Sequence, residues 1–189
     1  MTHSISRFPV PSLDEMPEDI ATRIRKVAEK SGFVPNVFLA LAHRPDEFRA
    51  FFAYHDALME RESGLTKAER ELIVVATSGL NQCQYCVVAH GAILRIRAKN
   101  AFIADQAAVN WRKADLSARE RAMLAYAEKV ALNAQQIGEA DHQALHEAGF
   151  DQDEIWDIGA IAAFFGMSNR LVNAGDIRPN DEFYMLGRG

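Results

Sequence analysis

The sequence is poor in cysteine, in long apolar runs and in net positive charge. Two cysteines among 189 residues are too few for a disulfide scaffold. The longest apolar run, residues 158–167, is half as long as the roughly 20 residues that a bilayer span requires. The charge balance is 21 basic against 26 acidic residues, with no basic run, which argues against a nucleic-acid-binding face. The N-terminus lacks a secretory pattern, so we expect a soluble cytoplasmic protein without membrane or nucleic-acid partners.

Apolar residues make up 49% of the chain and recur at helical spacing from Pro17 onward. No stretch alternates convincingly enough to predict a strand, so the predicted fold class is all-α, in a single domain over residues 1–189. We expect an extended arm over residues 1–14 and a central or interfacial helix after Asp151. Residues 176–189 are expected to form a polar tail whose aromatic side chains dock on a neighbouring subunit.

Two segments of the chain resemble each other. Residues 65–78 and 116–129 align at an offset of 51 and share Leu, Glu and Arg, and each opens with a capping box. In this alignment Glu71 corresponds to Ala122, and Cys83 corresponds to Ala134. The sequence therefore predicts a helical bundle with an internal two-fold repeat, in which residues 65–100 form the redox-active unit and residues 116–175 a second, non-catalytic unit.

Both cysteines lie in one C-x-x-C, Cys83 and Cys86. His90 follows the second by four residues and Glu71 precedes the first by twelve. With Asn81 as the predicted N-cap, Cys83, Cys86 and His90 fall within about 60° of one another on a helix. Thiols at a helix start have lowered pKa values, and a nearby imidazole and carboxyl group can carry a proton. From position alone, we expect Cys83 to be more acidic and more exposed than Cys86.

Other interpretations of these residues stay open. The cysteines could be small buried hydrophobic residues, or a non-catalytic redox sensor. Cys83, Cys86, His90 and a carboxylate could bind a metal, although structural zinc sites usually combine two separated ligand pairs. The chain could also be a purely structural oligomer. His55 lies in an apolar helical stripe, so we expect it to be a core residue.

The pattern E-x11-C-x2-C-x3-H resembles the active-site signature of the alkylhydroperoxidase D-like group of the carboxymuconolactone decarboxylase superfamily. The wider chain, over residues 15–175, is similar to the longer "peroxidase-related" branch of that group. It has GFVPNVFLALAHRPDEFRAFF before the signature and GFDQDEIWDIGAIAAFFGMSNRLVNA after it. One departure is that Gln84 and Tyr85 stand between the cysteines, where better-known peroxidase members often have a histidine.

This resemblance implies a cofactor-free, metal-free thiol peroxidase or disulfide oxidoreductase that acts on organic hydroperoxides. Cys86 would attack the peroxide, Cys83 would close the disulfide, and His90 and Glu71 would relay the proton. An external dithiol, with a lipoyl-linked one as the candidate, would reduce the pair again. Relatives form dimers, trimers or hexamers, and we expect a homo-oligomer because this chain has several apolar helices and an aromatic tail. The alternative within the superfamily is a decarboxylating lyase, but members with that activity generally lack the cysteine pair.

Overall fold

The structure, a computed structural model, describes residues 4–189, and every regular element in that range is helical. The predicted all-α fold class is therefore confirmed. Short 3-10 turns lie at Leu13–Glu15, Trp111–Lys113 and Ala134–Gln136. The α-helices are α1 Glu18–Ser31, α2 Asn36–Leu41, α3 Pro45–Met59, α4 Lys67–Leu80, α5 Gln84–Ala98, α6 Ile103–Asn110, α7 Ala118–Asn133, α8 Glu139–Glu147, α9 Gln152–Ala174 and α10 Glu182–Met185.

The helix starts follow the local signals in the sequence. At the start of α4, the Thr66 hydroxyl accepts the Glu69 N–H (3.1 Å), and the Glu69 carboxylate accepts the Thr66 N–H (2.8 Å). These reciprocal bonds satisfy backbone donors that have no partner within the helix. The same arrangement opens α7 and α9, formed by Ser117 with Glu120 and by Asp151 with Glu154.

Helix α4 lies at the centre of the bundle. It packs against α5, α6, α7 and α9, and every residue from 69 to 78 is buried. Near its C-terminal end, Gly79 allows the backbone of α6 to approach closely, since a Cβ there would collide with the Ala108 carbonyl oxygen. A polar side chain on α4 therefore needs a partner inside the protein, because almost none of the helix faces water.

Arg119, in the first turn of α7, connects the starts of three helices. Its guanidinium donates to the Glu69 carboxylate (3.1 Å) and to the Glu154 carboxylate (2.9 Å). It also lies over the Phe150 ring, 3.6 Å from the ring centroid. One cation therefore holds the capping carboxylates of α4 and α9 against α7.

The N-terminal segment pairs with the residues that follow α9. Residues 1–3 of the predicted arm lie outside the described residues. The Arg7 N–H donates to the Gly175 carbonyl (2.8 Å), and the Arg178 N–H donates to the Ile5 carbonyl (3.0 Å). In the tail, Phe183 is buried within its own chain beside Tyr85, so the predicted docking on a neighbouring subunit is wrong for this residue. Tyr184 is exposed, and its docking on a neighbouring subunit stays a prediction.

Helix α9 is central in the bundle, which is one of the two positions predicted for the helix after Asp151. It packs against α3, α4, α5, α7 and α8, yet it leaves Trp156, Met167 and Leu171 exposed. Within residues 4–189, none of the helices combines the length and the apolar character needed to cross a bilayer.

Candidate active site

The turn between α4 and α5 places the cysteines. The Asn81 N–H still bonds to the Thr77 carbonyl (3.0 Å), so Asn81 ends α4, and its predicted role as the N-cap of the cysteine helix is wrong. Gln82 adopts the left-handed conformation, with φ at +52°, and the chain reverses there. Cys83 is itself the N-cap of α5, and its N–H donates to the Ser78 carbonyl (3.0 Å).

Cys83 and Cys86 are free thiols in the first turn of α5. Both are buried, with 0% and 2% of their surface exposed, so the prediction of a more exposed Cys83 is wrong. They belong to an apolar cluster that includes the adjacent Tyr85 and, from distant parts of the chain, Ala40, Val172, Ile177 and Phe183. Almost none of the surface of either cysteine is therefore in contact with solvent.

The two thiols have opposite pKa shifts. The neighbouring Cys86 thiol, the Cys86 backbone N–H and the Asn169 side chain lower the pKa of Cys83 to about 7, although burial opposes them. The pKa of Cys86 is raised well above its ordinary value, because its thiol interacts with Cys83 and is buried. When the reduced pair loses its first proton, the negative charge therefore lies on Cys83. This agrees with the expectation that Cys83, at the helix start, is the more acidic thiol.

Glu71 and His90 meet on the facing sides of α4 and α5. His90 Nδ1 lies 2.7 Å from Glu71 Oε2, and both side chains are largely buried. Phe165 of α9 contacts the imidazole edge to face, with ring centroids 4.8 Å apart. The carboxylate fixes the orientation of the ring and leaves Nε2 as its second position for proton exchange.

Asn169 and Ser168 of α9 are polar neighbours of the thiols that the sequence analysis missed. Both are buried, and both side chains interact with Cys86 in the direction that lowers its pKa. Asn169 also donates to the Ser78 hydroxyl (3.0 Å) and accepts from the Asn81 amide (3.0 Å). The sequence does contain a signal for these residues, because Ser168 and Asn169 are a polar pair that interrupts the long apolar pattern of α9.

Two other side chains, His55 and Tyr85, do not belong to the constellation of Glu71, Cys83, Cys86 and His90. The His55 ring packs against Phe52 and Phe164, and its Nδ1 lies 3.1 Å from Asp56. The Tyr85 hydroxyl accepts the Val37 N–H (3.2 Å) at the start of α2. Within the described part of the chain, no three His, Cys, Asp or Glu side chains are arranged to hold a metal ion, so the metal-binding alternative has no ligand set there.

Comparisons with known proteins place this arrangement in a family. Residues 45–101, which include the whole constellation on α4 and α5, match the model of the carboxymuconolactone decarboxylase family. No curated protein matches the chain.

Solved structures extend the likeness to the whole chain. An uncharacterised peroxidase-related protein from Ralstonia eutropha JMP134, described as an alkylhydroperoxidase AhpD core, is 62% identical, with a TM-score of 0.99 over 100% of this chain and 99% of that one. A peroxidase-related protein from Silicibacter sp. TM1040 is 37% identical, with a TM-score of 0.93 over 98% and 97%.

A more distant likeness concerns the fold alone. The debrominase Bmp8 in complex with 2,3,4-tribromopyrrole is 18% identical, with a TM-score of 0.77 over 97% of this chain and 95% of that one. The two structures with high identity, together with the family model, decide the assignment. The chain belongs to the carboxymuconolactone decarboxylase family, among its AhpD-like, peroxidase-related proteins.

Proposed function

We propose that this protein is a dithiol peroxidase that reduces organic hydroperoxides and stores the oxidising equivalents as a Cys83–Cys86 disulfide. The observation that carries the proposal is the combination of two free thiols at the start of α5 with a buried Glu71–His90 pair on the same helical hairpin. The AhpD-like, peroxidase-related relatives point to the same class of reaction. The Gln84 and Tyr85 spacer does not remove any member of this constellation.

The reaction balances with the groups present. A cysteine sulfur attacks the terminal oxygen of the hydroperoxide, the O–O bond breaks, and a sulfenic acid forms. His90, held by Glu71, gives a proton to the departing alkoxide, which leaves as an alcohol. The second cysteine then attacks the oxidised sulfur, forming the disulfide and releasing water. In total, one hydroperoxide and two thiols give one alcohol, one water and one disulfide.

The surroundings of the sulfurs favour an organic substrate. Apolar side chains such as Val172 and Ile177 surround the cysteines, and an alkyl or aryl group would be more stable there than in water. An external dithiol, with a lipoyl-linked one as the candidate, would reduce the disulfide by exchange. The reaction needs no bound cofactor, because the sulfurs themselves carry the two electrons.

Cys86 is proposed as the attacking thiol, as the family resemblance implies. In the reduced pair the Cys83 thiolate is then the immediate acceptor for the Cys86 proton, since the two thiols interact directly. Cys83 afterwards loses that proton to the solvent or to His90 and closes the disulfide. The opposite order, with Cys83 as the attacking thiolate, is the one that the pKa values alone would favour.

The function is tested by stopped-flow oxidation of the reduced protein with tert-butyl hydroperoxide, with thiols counted before and after. We expect both thiols to disappear far faster than free cysteine reacts under the same conditions. A rate no higher than that of free cysteine would refute the peroxidase. A reaction with small disulfides but not with hydroperoxide would then identify a thiol-exchange or sensing module.

The order of attack is tested in the same assay with Cys83→Ser and Cys86→Ser. If Cys86 attacks first, Cys83→Ser forms a sulfenic acid on Cys86 that a dimedone probe labels, and Cys86→Ser reacts slowly. If labelling appears instead on Cys83 in Cys86→Ser, the attacking thiol is Cys83. Both variants lose disulfide formation in either case.

A further inference from the structure

Asn169 is a buried polar side chain that the reaction described above does not use. It belongs to α9, far from the cysteines in sequence, and none of its surface is exposed. Its amide oxygen accepts from Asn81 Nδ2 (3.0 Å), and its amide nitrogen donates one hydrogen to Ser78 Oγ (3.0 Å). An Asn side chain carries two N–H donors, so one donor is left over.

These bonds reach both sides of the turn that holds Cys83. Ser78 is the residue whose carbonyl accepts the Cys83 N–H (3.0 Å), and Asn81 is the residue at which α4 ends. Asn173, one turn further along α9, also donates to the Asn81 carbonyl, at 3.4 Å. Helix α9 therefore fixes the turn through side-chain amides. Val172, three residues after Asn169 and on the same side of α9, is buried in one cluster with Cys83 and Cys86, so this side of the helix lies against the thiols.

We propose that Asn169 is a positioning residue that directs its second amide N–H at the sulfurs of Cys83 and Cys86 and stabilises the thiolate of the reduced pair. The same amide would stabilise negative charge on either sulfur, because its side chain interacts with both. A buried N–H donor is effective in this place because little water is available to solvate a thiolate. The proposal concerns the thiols themselves and holds whether or not hydroperoxide is the substrate.

Other groups also face the pair and must be held constant in a test. His90 and its partner Glu71 lie on the same hairpin, and the charge of His90 favours the Cys83 thiolate. The Tyr85 hydroxyl is buried beside the thiols, and its pKa is raised by that burial. None of these groups is altered by a change at Asn169.

The test is the pH dependence of iodoacetamide alkylation of the reduced protein, with Asn169→Ala and Asn169→Asp compared with the wild type. In the wild type, one thiol should reach half of its maximal rate near pH 7, the pKa of Cys83. Both variants lose the donor, so the midpoint should rise. In Asn169→Ala, a rise of about one pH unit would lower the alkylation rate at pH 6 about tenfold, as the thiolate fraction falls.

The comparison of the two variants separates an electrostatic role from a structural one. Aspartate keeps the shape of asparagine and an oxygen that can accept from Asn81, but it replaces the donor with an acceptor. We therefore expect Asn169→Asp to raise the midpoint at least as much as Asn169→Ala does. A residue that only filled space would give the opposite order, with aspartate tolerated and alanine disruptive.

Ser78→Ala is the matched control, since it removes the hydroxyl that Asn169 binds and leaves the amide beside the sulfurs. Its midpoint should stay near the wild-type value, and far-ultraviolet circular dichroism should show that all three variants are folded. The proposal is overturned if Asn169→Asp titrates like the wild type, if Asn169→Ala shifts the midpoint more than Asn169→Asp, or if Ser78→Ala shifts it equally. Failure of the peroxidase assay would leave this result unaffected.

Discussion

Helices α4 and α7 begin in the same way and end in different surroundings. Each starts with a capping box, formed by Thr66 with Glu69 and by Ser117 with Glu120. Helix α4 is then buried without a break over residues 69–78, whereas α7 buries only Met123, Leu124 and Ala127. Similar capping boxes therefore determine where each helix begins, but they do not determine how much of the helix is buried.

The difference in burial explains why a carboxylate on α4 acquires a partner. At the position of Glu71, α7 has Ala122, which needs none. Glu71 is largely buried and is paired with His90 across the hairpin. Helix α7 has its own carboxylate, Glu128, but that group bonds to the exposed Arg112 and to Trp111. Between α4 and α7, it is α4 whose carboxylate holds an imidazole on the helix that carries the thiols.

The sharpest test of this contrast is Glu71→Gln. The amide keeps the shape of the side chain but removes the negative charge that orients His90. We expect hydroperoxide reduction to slow about 100-fold, the low end of what a general acid contributes. The rate of thiol loss with tert-butyl hydroperoxide measures the effect.

Glu128→Gln is the matched control for that prediction, because it changes a paired carboxylate on α7 instead of α4. Its oxidation rate should stay close to that of the wild type. An equal loss of activity in both variants, or none in Glu71→Gln, would contradict the proton relay. The contrast between the two helices would then concern packing alone.

A second prediction concerns the residue that joins the two helices. Arg119→Met removes the cation shared by Glu69 and Glu154 while keeping apolar contact with Phe150. Two carboxylates with side chains about one-tenth exposed lose their partner, so we expect the free energy of unfolding to fall by about 2–3 kcal/mol. Urea denaturation followed by circular dichroism gives this value.

Arg112→Met serves as the comparison for Arg119→Met, because Arg112 is a largely exposed partner of a single carboxylate. Exposed ion pairs contribute about 1 kcal/mol or less, so its effect should be clearly smaller. Equal losses in the two variants would mean that Arg119 is no more than a surface pair.

The smallest expected effect comes from the close approach of α6 to α4. Gly79→Ala forces a Cβ against the Ala108 carbonyl, and we expect a loss of about 1–2 kcal/mol in the free energy of unfolding. Gly138→Ala, directly before α8, places its Cβ in open space and should change stability by about 0.5 kcal/mol or less. If Gly79→Ala were the better tolerated of the two, the contact between α4 and α6 would be looser than the structure shows.

Much of the fold could be predicted from the sequence because its signals are local. Capping boxes, Pro45 at the first position of α3 and Gly32 after α1 act within one turn of chain, and the structure has helix boundaries at each of them. The spacing of Glu71, Cys83, Cys86 and His90 likewise follows from the hairpin geometry of two adjacent helices.

One error concerns a local boundary, and the other two concern contacts between distant parts of the chain. Asn81 looked like an N-cap because its side chain suits one, but it still bonds within α4 while Gln82 makes the turn. Cys83 was expected to be exposed because helix starts usually face water, yet it is covered by α2, α9 and the tail. Phe183 was assigned to a neighbouring subunit, although its own chain provides the surface that buries it.

The sequence by itself determined that this chain is helical, where most of its helices begin, and which four side chains share one hairpin. These properties depend on residues close together in the chain, where spacing and capping chemistry decide the outcome. The tertiary structure alone decided that both thiols are buried, that Asn169 of α9 lies beside them and that Arg119 ties three helix starts together. Those contacts join residues many positions apart, and only the packing of the whole bundle brings them into reach.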